Sequence, residues 1–376
     1  MRYTAVFLGF ACWTWANAQW TVVNLHPPGA GDSGPSSVRD GKQGGGVNDD
    51  AGIWSGTAGS WQSLHPHGFV EGIAGNQQVG HVGVGNYFHA SLWEGTPESW
   101  VDLHPANAEH SLAFDTSGDQ QVGYAQFFVG YPTVRAGLWT GTPESWRELH
   151  PAHTGALSSW AFAMDDGVQV GHTWSDKYRA GLWTGTASSW VELHPDGSLG
   201  SHCQGVGDGQ QVGDAFINGA DHASLWRGTK SSWVDLHPVG AASSMAHGVD
   251  GGVQVGWVGY PNERASLWYG TAGSYVDLQT FLPEDCLLSV AGDVWRNGSL
   301  TYIVGGWYGS IMNRGEAVMW VSRSVAPTSY SMVRGSVFSG NLASLLSSEN
   351  NRLVMRPGFV FSVGEPPVQV RVNATA

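Results

Sequence analysis

Along most of the chain, apolar and polar residues alternate over short stretches that break at glycine, and nowhere do apolar residues recur at the spacing of a helical stripe. Val234-Asp235-Leu236-His237 is one such stretch, with Val234 and Leu236 on one face of an extended segment. Before it come Gln211-Val212-Gly213, then Ala223-Ser224-Leu225-Trp226, a Gly228-Thr229 turn and Trp233; after it comes a run of small residues from Ser244 to Val249. The pattern predicts four strands per unit: a small-residue strand, a Gln-x-Val-Gly strand, an Ala-x-Leu-Trp strand and a Trp-to-Leu-His-Pro strand. A Gly-Thr turn joins the last two as a hairpin and sets two Trp rings opposite each other.

The unit recurs. Its first ring falls at Trp54, Trp93, Trp139, Trp183, Trp226 and Trp268, and its second at Trp61, Trp100, Trp146, Trp190, Trp233 and the substituted Tyr275. Leu-His-Pro follows at His65, His104, His150, His194 and His237. Successive first rings lie 39, 46, 44, 43 and 42 residues apart, and Trp320 follows after 52. A period of this size made of short strands and glycine turns predicts propeller blades. The seventh unit runs through Val304-Gly305-Gly306 to Trp320 and lacks its fourth strand, which stands instead at Trp20 to Pro27. The two ends of the repeat therefore complete one blade and remove the open edges of an unclosed ring. Trp20 lies two residues too early, so Val22 takes the ring position. The expected fold is all-β: a seven-bladed β-propeller over residues 19–323 closed by the N-terminal strand, then a small C-terminal β-module over 324–376. That module is read from Ser331 to Phe338, Arg352 to Met355 and Val368 to Val372.

His89-Ala90-Ser91-Leu92-Trp93 and His222-Ala223-Ser224-Leu225-Trp226, each behind a Val-Gly strand, resemble the HAF repeats of secreted bacterial proteins. Those repeats carry a Gly-x-Val-Val-Gly strand followed by His-Ala-Phe-Leu-Trp. The resemblance covers residues 20 to 320 and implies a propeller-like fold and export, without any reaction or catalytic residues. Here Ser or Gly stands in place of the family's Phe, and Leu-His-Pro in place of its Leu-Gly ending.

Composition narrows the partners. Charged residues make up 13% of the chain, and 17 basic against 31 acidic side chains leave a net charge of -14. Such a surface lacks the cationic field that nucleic acid or an anionic membrane requires. Met1-Arg2, the apolar run Tyr3 to Trp15 and Ala16-Asn17-Ala18 read as a secretory signal over 1–18. No later run reaches the about 20 apolar residues of a membrane-spanning helix. The expectation is a secreted or cell-surface monomer, in which Cys203 and Cys286 form one bridge or remain two thiols.

Few residues suggest chemistry. Gly31-Asp32-Ser33-Gly34-Pro35 resembles the nucleophile segment of trypsin-like proteases but stands in a linker rich in turn formers, and is read as a turn. The Leu-His-Pro histidines sit on different blades, too far apart to share a metal ion. They are expected to be structural, with His26 facing Glu316 and His65 facing Asp50, and with His89–His104 and His222–His237 as the local pairs. Asp49-Asp50 and Asp165-Asp166 are neighbours and so point to opposite faces or lie in turns. The protein is therefore read as non-catalytic, with no cofactor and no metal.

The part of each unit that varies most joins the second and third strands. It contributes Tyr87, Phe128, Tyr131, Trp174, Tyr178, Trp257, Tyr260 and Trp307, which together predict an aromatic rim for a carbohydrate or an extracellular protein.

Overall fold

The computed structural model describes residues 20–128, 130–309 and 314–323, with the further strands Tyr330–Arg334, Leu346–Glu349, Arg352–Met355 and Val370–Ala374. Seven four-stranded antiparallel sheets follow one another as blades 1 to 7. Blade 5 shows the order across the sheet: Ser201–Gly207, Gln210–Ile217, Ala220–Trp226 and Val234–Asp235. The first strand of every blade packs on the first strands of both neighbours, and Cys286–Asn297 of blade 7 packs on Ser33–Arg39 of blade 1. The small-residue strands therefore form the inner ring. Trp20–Asn24 adds to Gly315–Arg323 as the outer strand of blade 7, and Val22 stands opposite Trp320. Residues Trp20–Ser322 make one compact unit. In the C-terminal region, Tyr330–Arg334 pairs with Val370–Ala374, and Leu346–Glu349 with Arg352–Met355. The expected signal segment lies outside the described residues.

Each conserved-looking position of the repeat has a physical task. All seven first-ring tryptophans, from Trp54 to Trp320, are fully buried. Each inserts into the preceding blade: Trp183 packs on Val122, Ala136, Leu138 and Leu149, and Trp226 on Val170, Ala180, Leu182 and Leu193. The Val, Ala and two Leu of one unit are thus the socket for the Trp of the next. Burying such a ring stabilises each interface by several kcal/mol, since removing a core Trp typically costs about 3–5 kcal/mol. The Gln ahead of Val-Gly is buried because it holds the Gly-Thr turn. Gln78 Oε1 accepts from Gly95 N at 2.8 Å while its amide donates to Asn76 O, and the pattern repeats at Gln43, Gln169, Gln211 and Gln254.

The glycine of Val-Gly answers a bulge. Every first strand carries an extra residue at its middle, as at Phe162 between Ala161 and Ala163 or His247 between Ala246 and Gly248, and those of blades 3 and 7 carry a second near their start. The bend brings the first strand onto the second. A Cβ at Gly171 would stand 1.9 Å from Trp160 O, and one at Gly123 1.9 Å from Leu112 O. Only glycine fits there.

Blade-to-blade joints use the Leu-His-Pro histidines. His194 Nδ1 lies 2.7 Å from Ser201 Oγ and its Nε2 3.1 Å from Ser198 O, while the same Ser201 Oγ accepts from Ala180 N of blade 4. His26 with Ser33, His104 with Ser111, His150 with Ser159 and His237 with Ser244 repeat the arrangement. Nε2 faces a carbonyl and must carry the proton, so in the neutral ring Nδ1 accepts from the serine. Ser33 is therefore a joint residue within the first strand of blade 1, not part of a turn, and its hydroxyl also accepts from Ala317 N.

Two expected contacts are corrected. His26 does not bond Glu316, because Ser33 and Ala30 O take both its nitrogens; Asn24 and Arg314 hold Glu316. A register shift sets His65 opposite Ala51, and Asp50 accepts instead from Ser63 Oγ. Cys203 and Cys286 are free thiols on the first strands of blades 5 and 7, so no bridge joins them.

Candidate functional site

Because strands are antiparallel, the end of each second strand lies beside the start of the first: Gly68 stands opposite Val82, and Ser158 opposite Trp174. The loops between second and third strands thus share one rim with the connections that follow Leu-His-Pro. On that rim Tyr260 is 69% exposed, Phe128 and Tyr131 are each 60% exposed, and Tyr87, Trp174 and Tyr178 are also exposed. Trp257 is half-buried beside Met245. Trp307 departs from the expected rim: at 7% exposure it packs in the core with Val318 and Trp320 and offers no surface to a ligand. Trp307 stands third after Val304, the place that Val82, Ala125, Thr173, Ala215 and Val258 hold after the valines of their own blades, all of them buried, so alternation along the strand turns it inward.

The expected rings do not form one platform. Tyr87 packs edge-on against His110 of blade 3 at 5.2 Å, while Phe88 reaches both His110 and His81. Phe128 and Tyr131 cap the hairpin of blade 3, where Phe128 faces Pro132. In blade 4, Trp174 and Tyr178 stand opposite each other across the hairpin. Tyr178 continues inward into a cluster: Trp160 at 6.1 Å, His172 at 5.1 Å and His202 of blade 5 at 4.8 Å.

Of the inward half of this cluster, His172 opens the variable stretch that joins the second and third strands of blade 4, while Trp160, Phe162 and His202 lie outside every such stretch. Trp160, Phe162 and His202 belong to first strands, and His172 to a second strand; only the register and bulges bring them to the rim side of the blades. His202 and His172 meet edge to face, 4.8 Å between ring centres. Asp214, 1% exposed, binds His202 Nδ1 at 3.0 Å. Burial pulls the His202 pKa down, but the hydrogen bond and charge of Asp214 more than offset it and hold the pKa above the usual value. Burial, aided by the nearby His202, keeps His172 neutral, well below the ordinary range. The Arg179 guanidinium, bonded to Asp176 and Ser175, pins the blade 4 loop beside Tyr178.

Other histidines pair without converging. His89 and His104 stack 3.8 Å apart at 10°, and His222 and His237 4.0 Å apart at 12°. Asp102 and Asp235 accept from His89 and His222, and stacked rings cannot aim their nitrogens at a common ion. Among the described residues no group of three His, Cys, Asp or Glu is arranged to hold a metal. An open depression of about 540 Å³ lined by Pro195, Asp196, Thr229, Lys230, Ser231 and Trp233 includes none of the rim aromatics, and a Lys230–Asp196 ion pair lies within its lining.

No family model matches the sequence, and no curated protein matches it. Solved structures do. A puromycin hydrolase is similar at a TM-score of 0.50 and 12% identity, over 87% of this chain and 59% of that one. An acylaminoacyl peptidase of Pyrococcus horikoshii reaches 0.44 at 12% identity over 73% and 50%, and an oligogalacturonate lyase in complex with manganese 0.47 at 10% over 83% and 99%. The chain spans about three fifths of the puromycin hydrolase. At this identity the likeness shows the β-propeller fold alone. Among the described residues no helix is long and apolar enough to cross a membrane.

Proposed function

We propose that this chain is an exported, non-catalytic binding propeller of the HAF-repeat kind, whose aromatic rim takes a glycan or an extracellular protein. One observation carries the reading: exposed Tyr87, Phe128, Tyr131, Trp174, Tyr178 and Tyr260 all stand at the strand ends and connections of the same rim, while the repeated Gly-Thr turns of the opposite rim expose the single ring of Tyr269. Large rings left in water are the surface a sugar face or a partner side chain covers. The buried Leu-His-Pro histidines support the non-catalytic part, since serine and a carbonyl already occupy both nitrogens of each joint ring. The signal-like N-terminus and the resemblance to secreted repeats support export.

The test is a glycan-array and extracellular-protein binding screen of residues 19–376, repeated with Trp174→Ala and Tyr260→Ala. A selective signal that falls at least tenfold in either variant is expected. A signal that neither variant moves would overturn the rim as the site.

A further inference from the structure

His172 and His202 differ in the nitrogen they leave open. Asp214 takes Nδ1–H of His202, and Nε2 of the neutral ring, unbonded to any described residue, is a hydrogen-bond acceptor reachable from solvent on a side chain 27% exposed. His172 is the reverse. Its Nδ1 is buried without a partner, and a buried bare N–H costs more than a buried lone pair, so the proton sits on Nε2, the nitrogen that keeps an edge on solvent in a ring 7% exposed. The two rings thus offer one donor and one acceptor, 4.8 Å between ring centres, beside the 40% exposed face of Tyr178 and the 38% exposed indole of Trp174. A hydroxyl is the common group that gives and accepts a hydrogen bond at once. A ring that carries hydroxyls on its edge and C–H bonds on its face matches both halves of this wall.

We infer that the mouth between blades 4 and 5 is a saccharide subsite, in which a neutral sugar ring stacks on Tyr178 and Trp174 while one of its hydroxyls bridges His172 and His202. The inference rests on the rim reading above and narrows it to one cleft and one ligand class. Neutrality follows from the balance of charges nearby: Asp214 is bonded to His202 and Asp176 to Arg179, and the remaining Asp221 and Lys177 are of opposite sign, so no net charge selects an anionic or a cationic sugar. Tyr178, His172, Asp214 and Asp221 are the titratable groups that face His202. Protonation of His202 turns its acceptor into a donor and removes half of the bridge, so binding weakens in acid.

Isothermal titration of residues 19–376 with neutral gluco-, xylo- and N-acetylglucosamine oligomers, alongside uronic-acid and sulfated oligomers, tests this at pH 8 and pH 5.5. Binding of a neutral oligomer is expected, weaker by about tenfold at pH 5.5. Tyr178→Ala should reduce it at least tenfold, Tyr178→Phe less than threefold, and His202→Gln, which keeps an acceptor but not the ring, should weaken binding at pH 8 by less than Tyr178→Ala does and lose the pH dependence. Each variant is checked for an unchanged melt. Preference for the anionic oligomers overturns the ligand class. Neutral-sugar binding that survives Tyr178→Ala but falls with Tyr260→Ala overturns the subsite and leaves the rim reading standing. Absence of any sugar binding by the folded protein also overturns this inference, while the extracellular-protein half of the rim reading is judged separately by the protein screen.

Discussion

Five of the seven joints between blades place a histidine on a serine hydroxyl, and two do not. Between blades 6 and 7, Gln279 stands where the histidine would be: its Oε1 accepts from Ser289 Oγ and its amide donates to Cys286 O. Ser289 still accepts from Ala265 N. Between blades 1 and 2, neither partner is in place. The serine position is Gly68, where a Cβ would meet His81 O at 2.6 Å, and His65 turns to Pro66 O and to the Trp100 ring. The comparison teaches that the joint needs the hydrogen-bonding pattern of a neutral side chain with one acceptor and one donor. Glutamine supplies it without titrating; histidine supplies it only while uncharged. Where backbone crowding excludes the serine, the histidine is released.

The largest perturbation is at the joint that also closes the ring. Deleting Gln19 to Pro27 removes the outer strand of blade 7 together with Leu25 and His26, and thermal unfolding should lose its single sharp transition; a sharp melt at unchanged temperature would refute closure by this strand. Ser201→Ala leaves the buried Ala180 N–H without its acceptor and His194 without its donor, and should cost about 2–3 kcal/mol in urea unfolding. Gly68→Ser restores the serine of the motif yet should destabilise by about 1–3 kcal/mol through overpacking, whereas a gain in stability would show that the exceptional joint lacks only its hydroxyl.

The smallest effect separates the two side chains. His150→Gln should change stability by less than about 1 kcal/mol at pH 7. Burial holds the folded-state pKa of His150 down to about 4, while the unfolded chain takes up that proton near 6.5. Its contribution is therefore complete above about pH 6.5 and lost as pH falls towards 4. Asp115 and Asp293 work the other way, since burial pushes their carboxyls from 3.8 up to about 7 and about 6, so the stability they contribute is complete below about pH 3.8 and lost as pH rises to those values. The measurement that isolates the histidine is the difference between wild type and His150→Gln across pH 4 to 7. It should shrink or reverse sign in favour of the variant as the pH falls, and a constant difference would place the titration elsewhere.

The repeat made the architecture legible because seven units built on Val-Gly, Leu-Trp and Leu-His-Pro or close variants of them fix strand order, hairpin register and the missing fourth strand of blade 7. Val22 opposite Trp320 follows from the two-residue offset alone. The fourth strand is shorter than the sequence suggests: in blade 5 pairing stops at Asp235, and only Leu236 N still reaches Ala223 O. Bulges could not be read, since an extra residue in a strand of small side chains leaves the alternation ambiguous, although the unvarying Val-Gly glycine was their trace. The same gap hid the cleft of blades 4 and 5. Trp160 and His202 vary from blade to blade as loop residues do, but they occupy strands, and a search of variable loops passes over them. Trp307 marks the opposite error: its place in the repeat is buried in every blade, and only the residue filling it varies.

Closure by an antiparallel outer strand also sets how the propeller carries load. Trp20 stands opposite Ser322, so the chain enters and leaves the ring at one point. Tension applied through residues 19 and 323 would fall on a single end of the five-residue Trp20–Asn24 pairing and open it bond by bond, as a zip opens, instead of shearing every bond together. The strand that closes the ring is, under pulling, its first point of release.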